Sequence, residues 1–81
     1  MKVLHLTLMA KWFYEIQCGA KKTEYREIKP YWESRLEDRD FDVIEFKNGY
    51  HAGAKSMRVE CLGITKNIHS GFYEIRLGRI L

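Results

Sequence analysis

Eighty-one residues leave room for one domain, residues 1–81, and no linker. A hydrophobic share of 46% and an aromatic share of 14% argue for a packed core and exclude a disordered chain. Fourteen Lys and Arg against eleven Asp and Glu give a net charge of +3, a mild excess compatible with an anionic partner but not diagnostic of one. Apolar runs reach only a few residues, so no membrane span is expected. The charged N-terminus does not read as an export signal, and the expected compartment is the cytoplasm.

Residues 3–8 alternate Val, His and Leu types and begin β-branched, which predicts a strand. Residues 9–18 place Met9, Trp12, Phe13 and Ile16 at helical spacing. Gly19 supplies the positive φ that ends such a helix. Residues 23–27 read as a second strand. Pro30 then opens a short helix to about residue 38, because a first-turn proline lacks only an N–H that would go unpaired. Tyr31, Trp32, Arg35 and Leu36 are expected on its packing side.

Residues 42–47 form the next strand. Asn48-Gly49 is a turn dipeptide, and the loop is expected to run on through Lys55. Residues 57–65 and 72–81 complete the strands. Five strands with one good helix and one short helix predict an α+β chain whose sheet closes, or nearly closes, into a small barrel. The expected core holds Trp12, Phe13, Ile16, Tyr25, Val43, Ile44, Phe46, Val59, Cys61, Ile75 and Leu77. Cys18 and Cys61 are expected to be free, buried thiols acting as small hydrophobes.

The densest chemistry lies in Gly19-Ala20-Lys21-Lys22-Thr23-Glu24-Tyr25-Arg26. In an extended segment Lys22, Glu24 and Arg26 share one face and Thr23 and Tyr25 the other. Glu24 and Arg26 then stand about 7 Å apart at Cα, close enough for carboxylate and guanidinium to meet. Such a row is either a solvated edge with a weak surface ion pair or the floor of a polar cleft. Arg26 offers a planar fork of donors suited to phosphate or a base edge, and Lys21 a compact charge. Tyr14, Tyr31, Trp32 and Tyr50 are the candidates for exposed aromatics on which bases stack, the alternative being that they fill the core. Lys47 and Asn48 close their strand where they can reach a ligand. Glu45 and Glu60 are mid-strand acids, either the wet face of a strand or a second carboxylate for the cleft. His5, His51 and His69 show no metal-ligand spacing, and no phosphate loop, nucleophile motif or cofactor motif is present.

The spacing Gly-x-Lys-x-x-Glu-x-Arg, carried by Gly19, Lys21, Glu24 and Arg26 after a strand and a helix, resembles the signature of the ASCH domain, a member of the PUA-like superfamily. The resemblance is strong over residues 2–32 and looser beyond. It implies a small PUA-like β-barrel of five to six strands with a cleft beside the motif strand. It also implies an RNA- or nucleotide-binding protein, with Lys21, Glu24 and Arg26 as ligand-binding residues; Lys47 and Asn48 are expected to join them from the end of their strand, and no cofactor or metal is expected. Some ASCH-like proteins are amidohydrolases that deacylate N4-acylated cytidines through a lysine, a threonine and a glutamate, and ribonuclease activity has been proposed for others. The lysine corresponds to Lys21, but Glu24 stands where the threonine is expected, so the attacking hydroxyl is missing. The alternative is therefore a hydrolase acting on RNA or a modified nucleoside, with Lys21 and Glu24 as catalytic acid/base partners.

Overall fold

The computed structural model describes residues 1–81 as seven elements: β1 (Val3–Leu8), α1 (Ala10–Gln17), β2 (Thr23–Glu27), α2 (Pro30–Leu36), β3 (Val43–Asn48), β4 (Ser56–Asn67) and β5 (Phe72–Ile80). β1 buries Leu4, Leu6 and Leu8 on one face, as its alternation requires. α1 starts from an extended Met9, buries Phe13 and Ile16, and stops at Cys18. Gly19 follows at φ +84°, and the Lys21 N–H returns to the Glu15 carbonyl at 3.0 Å, which turns the chain into β2. α2 has Pro30 in its first turn after an extended Lys29, the conformation a residue before proline adopts. No helix is long and apolar enough to cross a membrane.

The five strands form one sheet in the order β1-β3-β4-β5-β2. β1 runs parallel to β3, with Val3 opposite Val43, and the other neighbours are antiparallel. The sheet curls into half a barrel. Backbone pairing does not run all the way round, because β1 and β2 are the two edges and do not pair with each other. β4 extends past the expected residues 57–65 and carries register shifts around Cys61. Bulges of this kind bend a long strand and strengthen its twist. At one of them Gly63 has φ +144°, and the Arg76 guanidinium fills the space a Cβ would need.

The inner face of the sheet, Phe13 and Ile16 of α1, and Leu36 of α2 make one core of thirteen buried residues. Trp12, Tyr25, Cys61 and Cys18 depart from expectation. Trp12 is 37% and Tyr25 47% exposed. Adjacent helix positions lie about 100° apart, so with Phe13 and Ile16 inward Trp12 sits on the rim. Tyr25 points to the outer face of β2, opposite in direction to Glu24. Cys61 is half-buried at the bulge and Cys18 is exposed beyond the end of α1, both as free thiols. On α2, Leu36 is buried and Trp32 packs on the core, whereas Arg35 is exposed and lies over the Tyr31 ring at 3.5 Å.

Candidate functional site

On β2 the positions that face the core carry charge. Glu24 pairs with Ile75 of β5 and Arg26 with Tyr73, both of which are buried. Glu24 is only 6% exposed and is the one charged residue among the buried set. An isolated carboxylate there would cost several kcal/mol in lost hydration. Two cations offset that cost. Oε2 of Glu24 accepts from Arg26 Nη2 at 2.7 Å, and Oε1 lies 3.4 Å from Lys21 Nζ. Lys21 reaches the carboxylate from the connector before β2, which the Gly19 turn brings alongside the strand.

Arg26 also bridges the open seam. The same Nη2 donates to the Thr7 carbonyl of β1 at 3.3 Å, so one guanidinium touches both edges of the sheet. Its Cζ lies 5.0 Å from the centre of the Trp32 ring, and Trp32 meets Tyr31 edge-on at 4.8 Å. Only Nη2 of the guanidinium donates to protein groups, while Nε is buried without a partner. On the other side of Glu24, the Lys21 ammonium lies 5.1 Å from the ring centres of both Trp12 and Tyr25. These rim aromatics hold cations that would otherwise be free to swing into water.

Lys21 and Arg26 thus meet at the Glu24 carboxylate, yet the two cations line different cavities. The first, of about 430 Å³, lies between β1 and α2 and is lined by Thr7, Arg26, Lys29, Tyr31, Trp32 and Tyr50, with His5 at its rim. The second, of about 420 Å³, lies beside the end of α1 and takes in Lys21. Glu24 stands between them and lines neither. Lys47 and Asn48 are opposite Thr7 and Leu8 at the end of β3 and line neither cavity. Glu45 pairs with Arg58 at 3.0 Å and with His5 at 3.5 Å. Glu60 accepts from the Arg79 main-chain N–H at 3.3 Å. Neither acid reaches the Glu24 cluster.

Lys29 and the Thr7 carbonyl are members of the first cavity that residue patterns do not single out. Lys29 is exposed and forms no salt bridge, so it supplies an uncompensated charge at the mouth. The Thr7 contribution is a main-chain atom and leaves no mark on residue type.

A separate polar pair sits at the end of α2. The buried Tyr73 hydroxyl donates to Glu37 Oε2 at 2.5 Å, and Lys66 Nζ lies 3.1 Å from the same oxygen. Burial, reinforced by the Glu37 carboxylate, pushes the Tyr73 phenol up to about 12. Hydrogen bonds from Tyr73 and then Lys66 hold the Glu37 carboxyl below its ordinary value. No three His, Cys, Asp or Glu side chains come together in a metal-binding group. No protein-family model matches the chain, and no curated protein matches it in sequence.

Proposed function

We propose that this chain is an ASCH-type binding module that holds RNA or a nucleotide in the cleft between β1 and α2. The observation that carries the reading is the state of Arg26. Its guanidinium is braced by Glu24 and the Thr7 carbonyl, lies over Trp32, and lines a 430 Å³ cavity. A braced fork loses little freedom when it takes up an anion or a base edge. Tyr31, Trp32 and Tyr50 surround it with aromatic surface on which a base stacks for about 1–3 kcal/mol. Lys29 adds an unpaired charge for phosphate.

The test is a titration of short single-stranded RNA and of nucleoside monophosphates at low salt. Tyr50 is 92% exposed, so Tyr50→Ala should leave the melting temperature alone and weaken binding. Arg26→Lys keeps a cation beside Glu24 but loses the planar fork, and should weaken binding about tenfold or more. Affinity should fall as salt rises, because phosphate contacts release counterions. Absence of binding by the wild-type protein at low salt refutes the reading.

The hydrolase alternative makes a different demand. It requires that the wild-type protein turn over RNA or N4-acetylcytidine and that Lys21→Ala abolish turnover. Both oxygens of Glu24 are engaged by cations, which suits a brace for Arg26 better than a free general base. The binding reading is preferred on that ground.

A further inference from the structure

We propose that the second cavity, across Glu24 from Arg26, is a phosphate subsite, and that the ligand of the cleft is a strand of two or more nucleotides rather than one nucleoside. The inference rests on the RNA-binding reading and gives it a direction.

The cavity of about 420 Å³ is lined by three cations, Lys21, Lys22 and Arg79, and by no acidic side chain. Lys21 shares its charge with Glu24, but Lys22 and Arg79 form no salt bridge. Glu60 reaches this end of β5, and its carboxylate accepts from the Arg79 main-chain N–H and lies beside Gly78. The end of α1 borders the cavity, and three of its last four carbonyls are occupied: that of Tyr14 accepts from Cys18, that of Ile16 from Gly19 and that of Glu15 from Lys21. The negative pole of the helix is therefore blunted where an anion would sit.

Glu24 links the two cavities: Lys21, which lines the second, is on one oxygen, and Arg26, which lines the first, is on the other. A mononucleotide in the aromatic cleft leaves Lys22 and Arg79 unused. Lys22 lies four residues before Arg26, about 13 Å away along the extended chain, so a strand that continues past Glu24 brings a later phosphate to Lys22 and Arg79.

The experiment compares a nucleoside 5′-monophosphate with a single-stranded tetranucleotide on the wild-type protein and on Lys22→Ala/Arg79→Ala. Both substituted side chains are exposed, so the fold should survive. The tetranucleotide should bind wild type about tenfold tighter than the monophosphate. The double variant should lose most of that advantage while holding the monophosphate within about twofold. Its salt slope for the tetranucleotide should fall by about 0.7 for each phosphate that is no longer neutralised. Cys18 gives an independent readout, because its exposed thiol lines this cavity. Saturating tetranucleotide should slow its alkylation, and monophosphate should not. If the double variant binds the tetranucleotide like wild type, or Cys18 reacts at an unchanged rate, while Arg26→Lys still weakens binding, the subsite is refuted and the cleft stands. If wild type binds neither probe, both readings fall together.

Discussion

Replacing Glu24 with Gln keeps the shape of the side chain and removes its charge, which tests whether the cluster on β2 is structural support or surface decoration. Glu24 carries two cations, Arg26 at 2.7 Å and Lys21 at 3.4 Å, and the side chains of all three are at most 16% exposed. At an effective dielectric near 20 the gross attraction is several kcal/mol per pair, most of it cancelled by desolvation. Removing one partner does not recover the desolvation already spent on the others. Breaking a fully buried pair costs about 3–5 kcal/mol, and the residual exposure of the cations lowers the expectation to about 2–4 kcal/mol. A domain of this size has a total stability of about 4–12 kcal/mol. At about 4–8 °C per kcal/mol, the melting temperature should fall by roughly 8–32 °C. Circular dichroism melts and urea titrations measure this directly. Glu24→Gln/Arg26→Gln should cost less than the sum of the two single changes, because the double variant removes a charge from each side. A Glu24→Gln melt within about 4 °C of wild type would refute the reasoning and place the cluster among surface ion pairs worth about 0–1 kcal/mol.

Two further outcomes are expected. Phe13 is 1% exposed in the core, so Phe13→Ala should cost about 3–5 kcal/mol, read as a lower urea midpoint; a midpoint close to wild type would show that the ring is not core. Tyr73 has a folded-state pKa of about 12 against an ordinary value of 10, so its contribution is complete below pH 10 and is lost as pH rises toward 12. Denaturation across that window should show an alkaline loss of stability that Tyr73→Phe flattens, and an unchanged slope in the variant would argue against ionisation of the buried Tyr73 phenol as its cause.

Local structure was largely legible in the residues, while the assembly was not. Alternation in β1, the Phe13/Ile16 pair of α1, Gly19 and Pro30 each act within a few residues, and the elements lie where those signals put them. The length of β4 escaped because its register shifts interrupt the alternation that marks a strand. Trp12 escaped because two adjacent aromatics satisfy the same helical stripe and only packing decides which one turns inward. Glu24 and Arg26 were legible as neighbours on one face, since strand geometry alone brings them together. That Lys21 and Arg26 line different cavities was not, because it depends on where α1, β1 and α2 come to rest beside β2. The parallel pairing of β1 with β3 likewise follows from no local pattern.

That parallel pairing has a consequence for the order in which the protein can be assembled. Everything between β1 and β3, including the charged strand, is a single crossover, and the only strand partner of β2 is β5. During synthesis β2 therefore leaves the ribosome early and stays unpaired until Phe72–Ile80 has followed. Pairing at such sequence separation is slow, since loop closure precedes any gain from contact. Until it happens, Glu24 has no Ile75 to lie against, and the two edges that Arg26 bridges are not opposed. A chain cut between Tyr50 and Phe72 would contain every residue of the aromatic cleft but not the strand that holds β2 in place.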